Sequence, residues 1–130
     1  MADRTLTLAI MDAPYESAAS TTAFRIMGAA LAKGIRVNVF AYEGAVALTM
    51  KDQAPHANPV KGTSVEEEAH PTTKDLVAAL MAPQLRWVNC GLCVDERGTG
   101  NWIEGVTRGG PADFFAMAME STATLVIPTR

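Results

Sequence analysis

Two cysteines stand three positions apart as Cys90-Gly91-Leu92-Cys93, and they are the only thiols in the 130-residue chain. This spacing supports three kinds of chemistry. A thiolate can attack a disulfide, a persulfide or another sulfur donor, and the second cysteine, one helical turn along, can resolve the product as an internal disulfide. The same spacing is half of a zinc site. Two free cysteines can also lie in a core as small, inert hydrophobes. The zinc reading lacks its second half, because no further cysteine exists and His56 and His70 fall in a proline-rich stretch at a spacing unlike the usual His pair. No metal and no cofactor are therefore expected within one chain, while a metal or cluster bridging subunits stays open. The histidines read as solvated loop residues.

The elements around the motif decide what it can do. Leu85 to Cys90 reads as a buried strand, and Gly-Leu-Cys opens a turn and a short helix through Arg97. A cysteine at that junction feels the positive end of a helix and its free N–H groups, both of which favour thiolate over thiol. Open α/β sheets bind ligands in the crevice at the carboxyl ends of their strands, which is where the motif falls. Arg97 is a candidate to steady a thiolate or an anionic sulfur species, with Asp95 or Glu96 as proton acceptors. The plainer reading is a mixed-charge helix face, and acids turned toward the thiolate would work against it. The glycines after Arg97 form no dinucleotide or phosphate-loop fingerprint, so no nucleotide site is expected.

The rest of the chain reads as alternating strands and helices. Thr5 to Met11 is a strand buried toward its far end. After Asp12-Ala13-Pro14, Ser17 or Ser20 caps a helix with Ala19, Ala23, Ile26, Met27, Ala30 and Leu31 on its apolar face, ended by Gly34. Ile35 to Ala41 is a second strand, so the chain opens with a βαβ unit and a parallel sheet. A turn around Gly44 and a short helix follow. Gln53 to Pro71, with three prolines, both histidines and Glu66-Glu67-Glu68, reads as a long solvated loop able to carry a lid. Thr72 and Asp75 form a capping pair for a helix with Leu76, Val77, Leu80 and Met81 on one face, ending before Pro83. Gly98 to Gly110 is irregular, with room for one short element near Trp102 to Val106. Pro111 and Asp113 start a helix through Glu120, and Thr122 to Ile127 is the last strand. The fold class is α/β, a single three-layer domain over 1–130 with a mainly parallel sheet of four to five strands flanked by helices.

The penultimate element is apolar on two faces, with Ala112, Phe115, Ala116 and Met119 on one and Phe114, Met117 and Ala118 on the next. One sheet cannot cover both, so assembly with further copies is expected. Apolar residues make up 48% of the chain, enough for a core, and the net charge of -3 with no basic stripe argues against nucleic-acid binding. The N-terminus lacks the pattern of a signal peptide, and no apolar run approaches the roughly 20 residues of a membrane span, so a cytoplasmic protein that does not engage the membrane is expected.

Cys90-Gly-Leu-Cys93-Val-Asp-Glu-Arg97-Gly98, then Glu104-Gly105-Val106, a capped helix and Ala123-Thr-Leu-Val-Ile127 resemble the DsrE/DsrF-like family, which includes TusD-like and YchN-like proteins. The βαβ start and Tyr42-Glu-Gly-Ala-Val46 extend the likeness over almost the whole chain. The resemblance implies a Rossmann-like parallel sheet, homotrimeric or homohexameric assembly, and a sulfur relay in which a cysteine carries a persulfide between donor and acceptor proteins. Cys90, eight residues before Gly98, matches the family's sulfur-carrying cysteine, and Cys93 matches a second cysteine of some branches. Where TusD-like members carry two basic residues before the glycine, this sequence has Glu96-Arg97. The leading expectation is a sulfurtransferase-like carrier with Cys90 as nucleophile and Cys93 as the second sulfur-handling residue. The alternatives are a non-catalytic oligomeric module that binds a small ligand or regulates, and a Cys-x-x-Cys disulfide oxidoreductase.

Overall fold

The computed structural model describes residues 3–54, 62, 64–66 and 72–129. His56, His70, Glu67 and Glu68 and the three prolines of the expected lid-bearing loop lie outside the described residues. Alternation along the strands sets the layers. In β1 (Thr5–Ile10) Leu6, Leu8 and Ile10 point to one side of the sheet, and Thr5, Thr7 and Ala9 to the other. The registers then align apolar residues across the sheet: Leu8 sits opposite Val39 of β2 (Arg36–Ala41), Val39 opposite Trp87 of β3 (Leu85–Cys90), and Trp87 opposite Val106 of β4 (Val106–Gly109). Leu8, Val39 and Trp87 are fully buried. At about 1.5–3 kcal/mol for each large apolar side chain taken out of water, this row is a main source of stability.

All five strands are parallel, in the order β4-β3-β2-β1-β5, with β5 (Ala123–Ile127) paired to β1. The chain steps from β1 to β4 in one direction and then crosses back to place β5 on the far side of β1. Carboxyl ends of strands at such a reversal leave a crevice. Helix α1 (Ala19–Ala32) covers one face through Ala23, Phe24, Met27 and Ala30, joined there by Val77 of α2 (Thr73–Leu80). On the other face lie α3 (Gly91–Glu96) and α4 (Pro111–Glu120), where Phe114 stacks on Phe40 with centroids 5.5 Å apart and the Thr7 hydroxyl donates to the Met117 carbonyl. The architecture is a three-layer α/β fold.

Local details depart from the sequence reading in four places. Neither Ser17 nor Ser20 occupies the cap of α1, which falls on Ala18. Asp12 at the end of β1 claims both serines: Ser17 donates to its carboxylate while accepting the Ala19 N–H at 3.0 Å, and Ser20 donates to its carbonyl at 3.3 Å. The element after β2 is a 3-10 helix, Glu43–Thr49, and its left-handed turn residue is Glu43 (φ 52), not Gly44. Gly44 is needed for another reason, since a Cβ there would stand 2.8 Å from the Ala13 Cβ and 3.0 Å from its nitrogen. The short element in the glycine-rich segment is β4 at the sheet edge, four residues C-terminal to Trp102, whose own pairing is an isolated antiparallel bridge to Met50. The Thr72 hydroxyl bonds the Asp75 carboxylate at 2.8 Å instead of a backbone amide, so that pair tightens the first turn of α2 through its side chains.

Candidate functional site

Cys90 is the last residue of β3 and the cap of α3, with extended backbone (φ -63, ψ 118), and Cys93 follows in the first turn. The strand end is fixed from below by a buried polar chain. The Trp87 indole donates to the Asn89 side-chain carbonyl at 3.0 Å, and the Asn89 amide donates to the Thr49 hydroxyl at 2.9 Å, tying β3 to the 3-10 helix. Breaking it would leave buried polar atoms unpaired.

Both thiols are free and buried, Cys90 at 6% exposure and Cys93 at 9%, among Phe40, Val46, Val88, Val94 and Met117. Burial pushes the Cys93 thiol above its ordinary range. The Glu43 N–H, donating to its sulfur at 3.1 Å, opposes that shift, while the neighbouring Cys90 and the Glu43 charge add to it. The two sulfurs thus interact. Tyr42, stacked on Phe40 at 5.5 Å, is likewise held protonated to higher pH, first by burial and then by Glu43 and Cys93.

The charged residues of α3 engage neighbouring charges and backbone, in keeping with the plainer reading of a mixed-charge face. Arg97 donates to the Cys93 carbonyl at 3.2 Å and to Glu43 at 3.4 Å, and lies 3.9 Å from Glu96, so it braces α3 against the 3-10 helix instead of facing a thiol in these contacts. Asp95 is not a ready proton acceptor. Arg108 of β4 grips its carboxylate with two bonds, at 3.0 and 2.7 Å, and holds it below the usual carboxylate range. Arg108 is the residue that the sequence reading missed. The register pairs Asn89 with Arg108 and Cys90 with Gly109, which brings a cation from a glycine-rich segment to the cysteine motif. The small residue Gly91 beside Cys90 was the available sign that something packs there.

A separate cleft of about 480 Å³ opens at the carboxyl ends of β1 and β2, lined by Asp12, Glu16, Tyr42, Glu43, Arg97 and Thr129 among others. It meets the cysteine motif through Glu43 and Arg97. Among the described residues no group of three or more His, Cys, Asp and Glu side chains is gathered to hold a metal ion.

The model of the DsrE/DsrF-like family matches residues 5–127. The chain belongs to the DsrE/DsrF-like family. A crystal structure of the ychN protein from E. coli shares the fold, with a TM-score of 0.70 over 96% of this chain and 99% of that one, at 19% sequence identity. No curated protein matches the chain. Membership associates the protein with sulfur relay at the level of the family. No helix among the described residues is long and apolar enough to cross a membrane.

Proposed function

We propose that the protein is a sulfurtransferase-type carrier in a cytoplasmic sulfur relay, loaded by one partner protein and emptied by another, with Cys90 carrying the persulfide. The observation that carries this reading is the seat of Cys90 at the end of a central parallel strand, capping α3 beside a second thiol, in a chain of this family. In the loading step the Cys90 thiolate attacks the outer sulfur of a donor persulfide. An S–S bond forms to Cys90 as the donor's S–S bond breaks, and the donor leaves as its thiolate. Transfer to an acceptor thiolate reverses the same exchange. Cys93 has a second use: attack on the inner sulfur of the loaded Cys90 forms a Cys90–Cys93 disulfide and expels hydrosulfide. Burial keeps Cys93 protonated, so this discharge is slow at neutral pH. The same burial weakens the disulfide-oxidoreductase reading. Arg97 supports the site indirectly, through the Cys93 carbonyl.

Assembly as a homotrimer or homohexamer belongs to the same proposal, supported by Phe115 and Met119, which stand 67% and 70% exposed on the outer side of α4. The test of the carrier is intact mass after incubation with a sulfane-sulfur donor, comparing wild type, Cys90→Ser and Cys93→Ser. Wild type and Cys93→Ser gain sulfur and Cys90→Ser does not. A wild type that gains none removes the carrier reading, and loading lost only in Cys93→Ser reverses the two roles. The 480 Å³ cleft favours one second reading, a module that binds a small ligand without transferring sulfur. That reading requires an inert Cys90, with alkylation as slow as that of an ordinary thiol.

A further inference from the structure

We propose that Arg108 is the positioning residue that sets a cation beside Cys90, held in place by Asp95 and admitted by the absence of a side chain at Gly91. This deepens the carrier reading and rests on it for its use in sulfur transfer. Three features carry it. The parallel register sets Arg108 opposite Asn89 and Gly109 opposite Cys90, so Arg108 neighbours the strand end that presents the thiol. Its guanidinium lies on Gly91, where a Cβ would stand 2.5 Å from Cζ and Nε and 2.7 Å from Nη2. Asp95, four residues on from Gly91 along α3, then takes two guanidinium N–H groups in a bidentate fork, which fixes the plane of the group as well as its place.

The pair does little for the fold. Arg108 and Asp95 are both more than half exposed, and an ion pair in water contributes little to stability. Its effect is to keep a positive charge at a defined point near a sulfur whose surroundings, apart from the Cys93 thiol, are apolar side chains such as Phe40, Val88 and Met117 that cannot solvate an anion. Asp95 raises the pKa of Arg108 most, and the Cys90 charge adds to it. The attraction between the guanidinium and a charge on Cys90 is mutual. The need is present before and after loading, because thiolate and persulfide both carry the charge on sulfur. Arg97, bound to the Cys93 carbonyl and Glu43, is engaged elsewhere. The other titratable groups around Cys90 are Cys93 on its own helix, Tyr42 and Glu43 at the start of the 3-10 helix, and Asp113 of α4, whose carboxylate lies against Gly109.

The test follows Cys90 alone, in a Cys93→Ser background, by the pH profile of iodoacetamide alkylation and by thiolate ultraviolet absorbance. Arg108→Gln moves the midpoint upward and slows alkylation at neutral pH by roughly three- to tenfold. Arg108→Lys keeps most of the wild-type profile. Gly91→Ala, which displaces the guanidinium without removing it, shifts the midpoint in the same direction as Arg108→Gln and decides the matter if the latter fails to fold. Unmoved midpoints in the folded variants overturn the proposal, as does an Arg108→Lys profile as altered as that of Arg108→Gln. Sulfur loading of the wild type is read separately. If it takes no sulfur while the midpoints shift, the carrier reading fails and the role of Arg108 stands. If it loads while the midpoints stay fixed, only the role of Arg108 falls.

Discussion

One row of side chains crosses the sheet from Val106 through Trp87, Val39 and Leu8 to Leu125, and its two ends differ. Trp87, Val39 and Leu8 are fully buried, whereas Leu125 is 42% exposed, and on the opposite face of β5 Val126 is 53% exposed. Helices α1 and α2 cover the β2–β3 side, but β5 is a bare edge, and α4, packed over β1 and β2, turns Phe115 and Met119 outward. Edge strands usually carry charge or short length to discourage pairing. At the other edge, β4 is four residues long and carries Arg108, while β5 presents Leu125 and Val126. The comparison teaches that the β2–β3 side is covered within one chain and positions the thiols, while β5 and the outer side of α4 leave large apolar side chains uncovered within it.

The largest effect expected from this contrast is at Trp87. Trp87→Ala removes a fully buried indole and its bond to Asn89, so it should cost about 3–5 kcal/mol in denaturant unfolding. A cost near that of a surface substitution would contradict the central row as the seat of stability. Asn89→Leu should cost less, about 1–3 kcal/mol, because it leaves the Trp87 N–H without its acceptor and the Thr49 hydroxyl without its donor. Measured together with Trp87→Ala, it should be strongly non-additive, since one bond is shared.

These two residues also show what could be read from the chain in advance. The alternation of Leu6, Leu8 and Ile10, and of Val37 and Val39, declares which side of each strand is buried, and Pro111 with Asp113 declares the start of α4, where the Asp113 carboxylate accepts the Gly110 N–H at 2.8 Å. Cys90 at a strand end was legible for the same reason. The Glu43 N–H on the Cys93 sulfur was not, because it joins positions 50 residues apart and depends on a left-handed residue that is not glycine. Nor was Arg108: its approach to Gly91 follows from the register of a four-residue strand inside a segment whose glycines suggest only turns. Local pattern carries the elements, whereas the partners of the thiols come from pairing between distant ones.

A smaller effect should appear with pH. The Cys93 thiol has its pKa raised in the folded chain by burial, so the folded state holds its proton beyond the point where the unfolded chain has lost it. Stability is therefore complete below the ordinary thiol value of 9.0 and falls as pH rises through the higher folded value. Cys93→Ser should flatten that decline in urea midpoints collected from neutral to alkaline pH, and an unchanged slope would show that Cys93 is not its source. On the open side, Phe115→Ser with Met119→Ser should alter the stability of an isolated chain by less than about 0.5 kcal/mol, because neither side chain is covered within it. Sedimentation should instead show a smaller particle. A loss of stability like that of Trp87→Ala, with no change of mass, would erase the distinction between the two sides.

The smallest expected change in stability is at the β4 edge. Asp95→Asn and Arg108→Gln should leave Tm unchanged, because both partners of this ion pair are in solvent and water screens what each gains from the other. A clear fall in Tm for either would make the clamp part of the scaffold and extend the self-sufficient region to this edge. An unchanged Tm accompanied by slower Cys90 alkylation in Arg108→Gln would assign the pair to the chemistry of the thiol alone. The two edges of one sheet would then differ in kind, with fixed charge beside the Cys90 sulfur at one and apolar side chains left uncovered within the chain at the other.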